Sequence, residues 1–134
     1  MVRRNAALLL LAVLACALLA GCGKDEQADS SANLADKGAE FVTLLAEGNF
    51  EEAATWLDPT MAAAMSAAKL EEAWRSLSSG GAYQGQAGTR TAMEQGFEIV
   101  YVTCNFERGS ADVKVVFDQQ GKVGGIWFVP AQSG

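Results

Sequence analysis

The chain has 134 residues, of which half are apolar, and a net charge of −6. This acidic balance argues against nucleic acid or anionic lipid as a partner of the folded part. With three cysteines and no histidine, the chain has none of the common zinc-ligand spacings, and we expect neither a metal nor a cofactor.

The N-terminus has the layout of a secretory signal. Arg3 and Arg4 are followed by an uncharged apolar run over residues 6–20. This run is shorter than the roughly 20 apolar residues that a membrane span needs, and charged residues follow it from Lys24 onward. We therefore predict a signal peptide over residues 1–21, with a permanent transmembrane helix as the alternative.

The apolar run ends in Leu19-Ala20-Gly21-Cys22, which resembles the lipobox of bacterial lipoproteins (Leu, a small residue, Gly or Ala, then Cys). The resemblance implies cleavage before Cys22, a diacylglycerol on its sulfur and a further acyl chain such as palmitate on its amine. Two or three acyl chains suffice to hold a soluble domain on a bilayer. The expected location is the cell envelope, outside the cytoplasm, and Gly23 permits transfer to an outer membrane if the organism has one.

A polar segment follows the anchor. Residues 23–32 (GKDEQADSSA) contain no large apolar side chain, so we predict a flexible tether over residues 22–33 and a single domain over residues 34–134. Removal of the signal takes away Arg3 and Arg4, which leaves eight basic and sixteen acidic residues and a charge of 8 − 16 = −8.

The first half of the domain has helical spacing. From Leu34, apolar residues including Phe41 and Leu45 recur on one side until Gly48. Three further helix starts are predicted from N-cap residues, at Asn49 (in a capping box with Glu52), Asp58 and Ser66.

After Gly81 the apolar period changes to two, which predicts strands over residues 82–93, 97–107, 111–118 and 122–129. A two-residue turn at Arg108-Gly109 would pair Phe106 with Ala111. A three-residue turn ending at Gly121 would pair Phe117 with Val123 and Val113 with Trp127, and Gly124-Gly125 predicts a bulge.

This register predicts two sheet faces. The core face would carry Val100, Val102, Cys104, Phe106, Val113, Val115, Phe117, Val123, Trp127 and Val129. The other face would carry a group of five apolar residues: Ile99, Tyr101, Val116, Ile126 and Phe128. Because a surface without a binding role rarely exposes so many grouped apolar side chains, we predict that they form an interface. The alternative is that residues 131–134 or the tether cover them.

The order of elements predicts an α+β fold, with N-terminal helices packed on a curved, four-stranded antiparallel sheet. Residues 41–50 (FVTLLAEGNF), 70–81 (LEEAWRSLSSGG) and 118–127 (DQQGKVGGIW) resemble the nuclear transport factor two-like (cystatin-like, cone-shaped) superfamily. The closest resemblance is to a bacterial domain-of-unknown-function family, found in lipoproteins and ahead of secreted α/β-hydrolase domains. It implies a cone-shaped fold and a compartment, but no established activity.

The chemistry-bearing residues do not favour catalysis. Enzymes of this superfamily place an acid, His or Tyr inside the cone, whereas Asp112 and Lys114 are predicted on the other face. Cys104 lies in the middle of a strand and is predicted to be a buried structural thiol, so no catalytic residue is assigned. Six residues are candidates for lining an apolar pocket, although tryptophans on apolar faces usually belong to the core: Trp56, Trp74, Thr89, Thr91, Cys104 and Trp127.

The sequence thus predicts a lipid-anchored extracytoplasmic protein that is a binding or assembly module rather than an enzyme. A small-molecule isomerase or cyclase and an accessory domain of a secreted hydrolase stay open as alternatives. The expected partners are the membrane through the anchor, a second copy or an envelope protein at the sheet face, and a small apolar ligand.

Overall fold

The computed structural model describes residues 26–130, with side chains from residue 32, so the predicted signal, the lipobox and residues 131–134 lie outside it. Over this range the chain forms four helices followed by one antiparallel sheet, which confirms the predicted α+β class. The helices are α1 (Glu26–Glu47), α2 (Phe50–Thr55), α3 (Pro59–Ala64) and α4 (Ala67–Ser78). The strands are β1 (Tyr83–Glu94), β2 (Phe97–Phe106), β3 (Gly109–Phe117) and β4 (Val123–Pro130).

Helix α1 begins at Glu26, before the predicted start at Leu34, so residues 26–33 of the predicted tether are helical. Four of these eight residues (Glu26, Gln27, Ala28 and Ala32) have good helix propensity, and the packed part of α1 supplies the stability that the Asp, Ser and Asn residues among them do not. The helix ends as predicted at Gly48, whose φ of +82° is typical of a C-terminal glycine. None of the helices in the described range is long and apolar enough to cross a membrane.

Helix α1 lies very close to the sheet. A Cβ placed on Gly38 would stand 2.9 Å from the Cβ of Val100 on β2. Phe41, Val42 and Leu45 on the same helix are fully buried. The glycine therefore permits the close approach of α1 to the core face of the sheet.

Two of the three predicted helix caps are confirmed. Asp58 Oδ1 accepts a hydrogen bond from the Met61 amide at 2.7 Å, and Ser66 Oγ accepts one from the Lys69 amide at 3.3 Å. Asn49 precedes α2 but forms no capping bond, and its side-chain Nδ2 donates instead to Glu47 Oε2 at 3.3 Å. The predicted capping box is therefore wrong, although the helix start is right.

The sheet has the order β1-β2-β3-β4, with strand bounds within two residues of the predicted ones. The predicted pairing of Phe106 with Ala111 is wrong, because Phe106 pairs with Gly109 and Cys104 pairs with Ala111. The turn lies one residue earlier than predicted, so the register between β2 and β3 shifts by two residues. A shift of two keeps every side chain on its predicted face.

Strand β4 has the predicted bulge, and the bulge changes the two faces. Phe117 pairs with Val123 as predicted, but Val116 then pairs with Gly125, so Gly124 is the extra residue. An added residue inverts the alternation of all residues that follow it. Four predicted positions are therefore wrong: Trp127 and Val129 lie on the outer face, and Ile126 and Phe128 lie on the core face.

The core fills the space between the helices and the sheet. Its buried strand residues include Val100, Val102, Cys104, Val113 and Val115. At one end three aromatic rings pack together, with the centroid of Trp74 lying 5.4 Å from that of Tyr83 and 6.1 Å from that of Phe106.

The connection between α2 and α3 covers the edge of β4. The Val123 amide donates to the Trp56 carbonyl at 2.8 Å, and the Asp58 amide donates to the Val123 carbonyl at 2.9 Å. Pairing of this kind protects an exposed sheet edge. It also brings Asp58 beside the bulge, where a Cβ placed on Gly124 would lie 3.1 Å from Asp58 Oδ2.

Candidate functional site

The six residues predicted to line a pocket are not brought together. Trp74 and Cys104 are buried in the core, and Trp56 packs against it. Thr89 and Thr91 pair with Val102 and Val100 on the core side of the sheet, but both are exposed. Trp127 lies on the outer face, so these six residues do not surround one common space.

Cys104 has the environment of a structural thiol. Its Sγ is fully buried and donates to the Val102 carbonyl at 3.7 Å. Burial, with a smaller contribution from the Asp112 carboxylate, raises the pKa of Cys104 to about 12. A thiol that stays protonated at neutral pH is a poor nucleophile.

The outer face of the sheet carries a row of alternating cations and aromatic rings. Arg90, Tyr101, Lys114 and Trp127 are successive register partners across the four strands. The Arg90 guanidinium lies 3.7 Å from the centroid of the Tyr101 ring. Lys114 Nζ lies between the two rings, 5.7 Å from Tyr101 and 5.6 Å from Trp127. We call these four residues the cation–aromatic row.

Each cation of this row forms an ion pair with a carboxylate, Lys114 with Glu94 and Arg90 with Asp112. Lys114 Nζ donates to Glu94 Oε2 at 3.0 Å, and the Tyr101 hydroxyl donates to Glu94 Oε1 at 3.2 Å. The hydrogen bond with Lys114 is the main cause that lowers the pKa of Glu94, and the same bond raises the pKa of Lys114. Both shifts favour the charged forms of the pair.

Asp112 is a buried carboxylate on this outer face. It is only 1% exposed, and it accepts hydrogen bonds from Arg90 Nη2 at 3.0 Å and from Thr103 Oγ1 at 2.6 Å. The sequence predicts the face on which Asp112 lies, but it does not predict that Asp112 is buried, because the burial depends on side chains from β1 and β2. Since a buried carboxylate needs partners, this cluster ties the first three strands together.

Beside the cation–aromatic row lies a groove of about 430 Å³. Its apolar lining includes Ile99 and Val116, which belong to the predicted interface, and two large exposed rings, Phe97 and Trp127. Phe97 is 48% exposed and Trp127 is 53% exposed, whereas Ile99 is only 2% exposed. The polar lining consists of Asp58, Thr60, Glu94, Gln95, Lys114 and Asp118, and Gly124 completes it.

Three carboxylates and one ammonium group line this groove, so its charge is negative. Asp118 Oδ1 accepts hydrogen bonds from the amides of Gln120 at 2.9 Å and Lys122 at 2.8 Å. Asp58 uses its own Oδ1 to cap α3. The described hydrogen bonds of both residues thus engage one carboxylate oxygen, which leaves Oδ2 of each for another contact.

No local pattern in the sequence marks Phe97 and Asp58 as groove residues, and the predicted positions of Ile126 and Phe128 on the outer-face interface are wrong. Ile99, Tyr101 and Val116 lie on the outer face as predicted. Counting Gly124 as an unpaired residue would have placed Trp127 in the groove. Asp58 had no such signal, because its position depends on the pairing of Leu57 with Val123.

Within the part of the chain that the structure describes, no group of three His, Cys, Asp or Glu side chains could hold a metal ion. The side chains that line the groove supply aromatic rings, aliphatic groups, three carboxylates, one lysine, one hydroxyl and one amide.

Residues 38–126 match a family described as "Protein of unknown function (DUF3887)". The chain belongs to this family, and the match includes most of the core and nearly all of the groove. Over 92 residues the chain is 32% identical to Esterase EstD of Thermotoga maritima, which covers 68% of this chain and 22% of that protein. The chain thus spans about a fifth of the length of that relative. No solved structure gave a significant match.

Proposed function

We propose that this member of the DUF3887 family is a lipid-anchored, extracytoplasmic binding or assembly module that contacts an envelope protein through its outer sheet face. The observation that carries the proposal is the groove, where the exposed rings of Phe97 and Trp127 flank an apolar floor of Ile99 and the partly buried Val116. Grouped exposure of large apolar side chains is typical of an interaction surface.

The state of the charged groups supports binding rather than catalysis. Glu94 and Lys114 neutralise each other, while Asp58 and Asp118 hold backbone amides. The ion pair favours the charged forms of Glu94 and Lys114, whereas a general acid or base needs a pKa near the working pH. We therefore infer that the groove recognises a partner and leaves it chemically unchanged.

The anchor is inferred from the lipobox alone. Lipid attached to Cys22 would hold the domain close to the membrane surface, where a second envelope protein is within reach. The packing of α1 on one face of the antiparallel sheet supports the nuclear transport factor two-like, cone-shaped fold as the superfamily of this domain.

The relation to Esterase EstD is compatible with an accessory role beside a secreted hydrolase. In that case the hydrolase would be the partner of the groove. The similarity covers 22% of that esterase, too little to assign its activity to this chain.

Lipidation is tested by growing cells with an alkyne analogue of palmitate and detecting the label on the full-length protein. We expect the label on the wild-type protein and on Cys104→Ala, which is the matched cysteine control, but not on Cys22→Ala. A labelled, membrane-bound Cys22→Ala protein of mature size would contradict the proposed anchor.

The binding surface is tested with a photo-crosslinking amino acid at Phe97 in the full-length protein in intact cells. The control position is Ser76, which is exposed on α4 away from the sheet. We expect a discrete crosslinked species from position 97 that is absent from position 76. Its mass, measured by mass spectrometry, should exceed that of two copies of the chain. The same products at both positions, or none at position 97, would contradict a binding role for this face.

A further inference from the structure

We propose that the partner enters the groove with a basic, apolar peptide segment, in which a lysine or arginine follows a large aliphatic or aromatic side chain. This inference rests on the proposed function and specifies the chemistry of the partner. Apolar lining, charge and the cation–aromatic row each support it.

The apolar lining fits a side chain of the partner. Ile99 and Val116 form a floor between the rings of Phe97 and Trp127, and the volume of about 430 Å³ is at the lower end of ligand-site sizes. A groove of this size admits one or two side chains but not a whole helix. Burial of one leucine or phenylalanine there would remove apolar area from water on both partners.

The negative charge of the lining favours a basic group of the partner next to the partner's apolar side chain. Lys114 is engaged by Glu94, whereas neither Asp58 nor Asp118 belongs to an ion pair among the described residues. Two carboxylates on one rim attract a basic group and repel an acidic one. After cleavage of the proposed signal the chain would have a net charge of 8 − 16 = −8, which adds long-range attraction for a basic partner.

The cation–aromatic row shows that a cation can lie beside the Trp127 ring, which lines one side of the groove. Lys114 Nζ already lies 5.6 Å from the Trp127 ring, and Trp127 still exposes 53% of its surface. A guanidinium or ammonium group from a partner can approach the exposed part of this ring and gain a further cation–π contact.

The same charges disfavour a second copy as the occupant. A second copy would bring the same acidic groove and the same negative net charge, and juxtaposed like charges oppose association. Of the two partners predicted for this sheet face, we therefore favour an oppositely charged protein over a second copy of the chain.

The test uses the full-length protein in a zwitterionic detergent and fluorescein-labelled peptides followed by fluorescence anisotropy. The probe has the sequence Gly-Leu-Arg-Phe-Arg-Leu-Gly. One control peptide replaces both arginines by glutamate, and the other replaces the leucines and phenylalanine by serine. We expect binding of the basic apolar probe only, with an affinity that falls as salt is added.

The matched protein variants are Asp58→Asn with Asp118→Asn, and Glu72→Gln as the control. Asparagine preserves the backbone hydrogen bonds of both aspartates, so the fold is retained, while Glu72 is exposed on α4 and loses the same type of charge. We expect the double variant to weaken probe binding about 3- to 10-fold at low salt, since each exposed charge contributes modestly. Glu72→Gln should change the affinity by less than about twofold.

Three results would overturn the inference: equal binding of the glutamate peptide, unchanged affinity of the double variant, or a dimer in sedimentation that Trp127→Ala disrupts. If these occur while position 97 still crosslinks to a partner in cells, the binding function stands and only the chemistry of its partner is wrong. Failure of crosslinking at position 97 would instead overturn the proposed function itself.

Discussion

The indole ring of Trp127 lies over the backbone of Gly125, two residues earlier on the same strand. A Cβ placed on Gly125 would stand 2.6 Å from Cη2 of this ring. The absence of a side chain at residue 125 thus lets the ring lie against the sheet. Together with the bulge at Gly124, this contact gives the groove its aromatic wall.

Gly125→Ala should displace the Trp127 ring, because a methyl group would occupy its place. Because Trp127 is half exposed, its ring can turn away from the methyl group, so we expect a loss of about 0.5–1.5 kcal/mol in the free energy of unfolding, typical of a side chain held off its rotamer, and a red shift of tryptophan emission. The control is Gly88→Ala on β1, where a Cβ would meet nothing within 4 Å. Equal stability of the two variants in urea would contradict the packing of the ring on Gly125.

Gly38→Ala should destabilise the protein even though alanine is the better helix former. The added Cβ would lie 2.9 Å from the Cβ of Val100. Because the χ1 angle of a β-branched side chain is restricted, Val100 can move little to relieve this contact. We expect a cost of about 1–3 kcal/mol. Gly80→Ala, in open space after α4, is the control and should change stability by less than about 0.5 kcal/mol. A stabilised Gly38→Ala protein would show that α1 lies farther from the sheet.

Asp112→Ala should destabilise the sheet, because Thr103 loses its acceptor and Arg90 loses its buried partner. The expected cost is about 1–3 kcal/mol, since Arg90 is half exposed and can be hydrated. Glu98→Ala, an exposed acid on β2, is the control. If both variants unfold at the same urea concentration, Asp112 is not buried in the way described.

Cys104 should make stability depend on alkaline pH. Its pKa rises from 9.0 in the unfolded chain to about 12 in the folded protein. Between these values the unfolded state binds fewer protons, so the free energy of unfolding falls as pH rises, by about 1.4 kcal/mol per unit well above pH 9. The measurement is urea unfolding at pH 8 and pH 10.5, with Cys104→Ala as the control. Equal pH dependence in the two proteins would contradict the raised pKa.

The sequence predicts the fold class and strands because those features depend on local periodicity. Helix ends at Gly48, Asp58 and Ser66 follow from residues with well-defined roles at termini, whereas Asn49 shows that a cap sequence can use another acceptor nearby. The turn after Phe106 lies one residue earlier than its pattern predicts. The faces of β2 and β3 were still right, because side-chain direction repeats every two residues.

The groove depends on features that local patterns do not determine. A one-residue bulge reverses Ile126, Trp127 and Phe128, although the glycines that cause it are visible in the sequence. Asp58 reaches the groove only because the chain pairs with the edge of β4, a contact between segments far apart in sequence. Burial of Asp112 likewise needs partners from two other strands.

Trp74 and Trp127 should differ strongly when each is changed to alanine. Trp74 packs against Tyr83 and Phe106 in the core, so its removal should cost about 3–5 kcal/mol. Trp127 is half exposed on the outer face, and its removal should cost clearly less. Similar losses for both variants in urea unfolding would contradict the described register of β4.

The most direct test of the groove is the solvent accessibility of each tryptophan in the folded protein. Brief hydroxyl-radical oxidation followed by peptide mass spectrometry reports the oxidation rate of Trp56, Trp74 and Trp127 separately. We predict that Trp127 is oxidised fastest and Trp74 slowest, in line with exposures of 53% and 7%. Oxidation of Trp127 as slow as that of Trp74 would place its ring in the core and remove the aromatic wall on which the proposed binding surface depends.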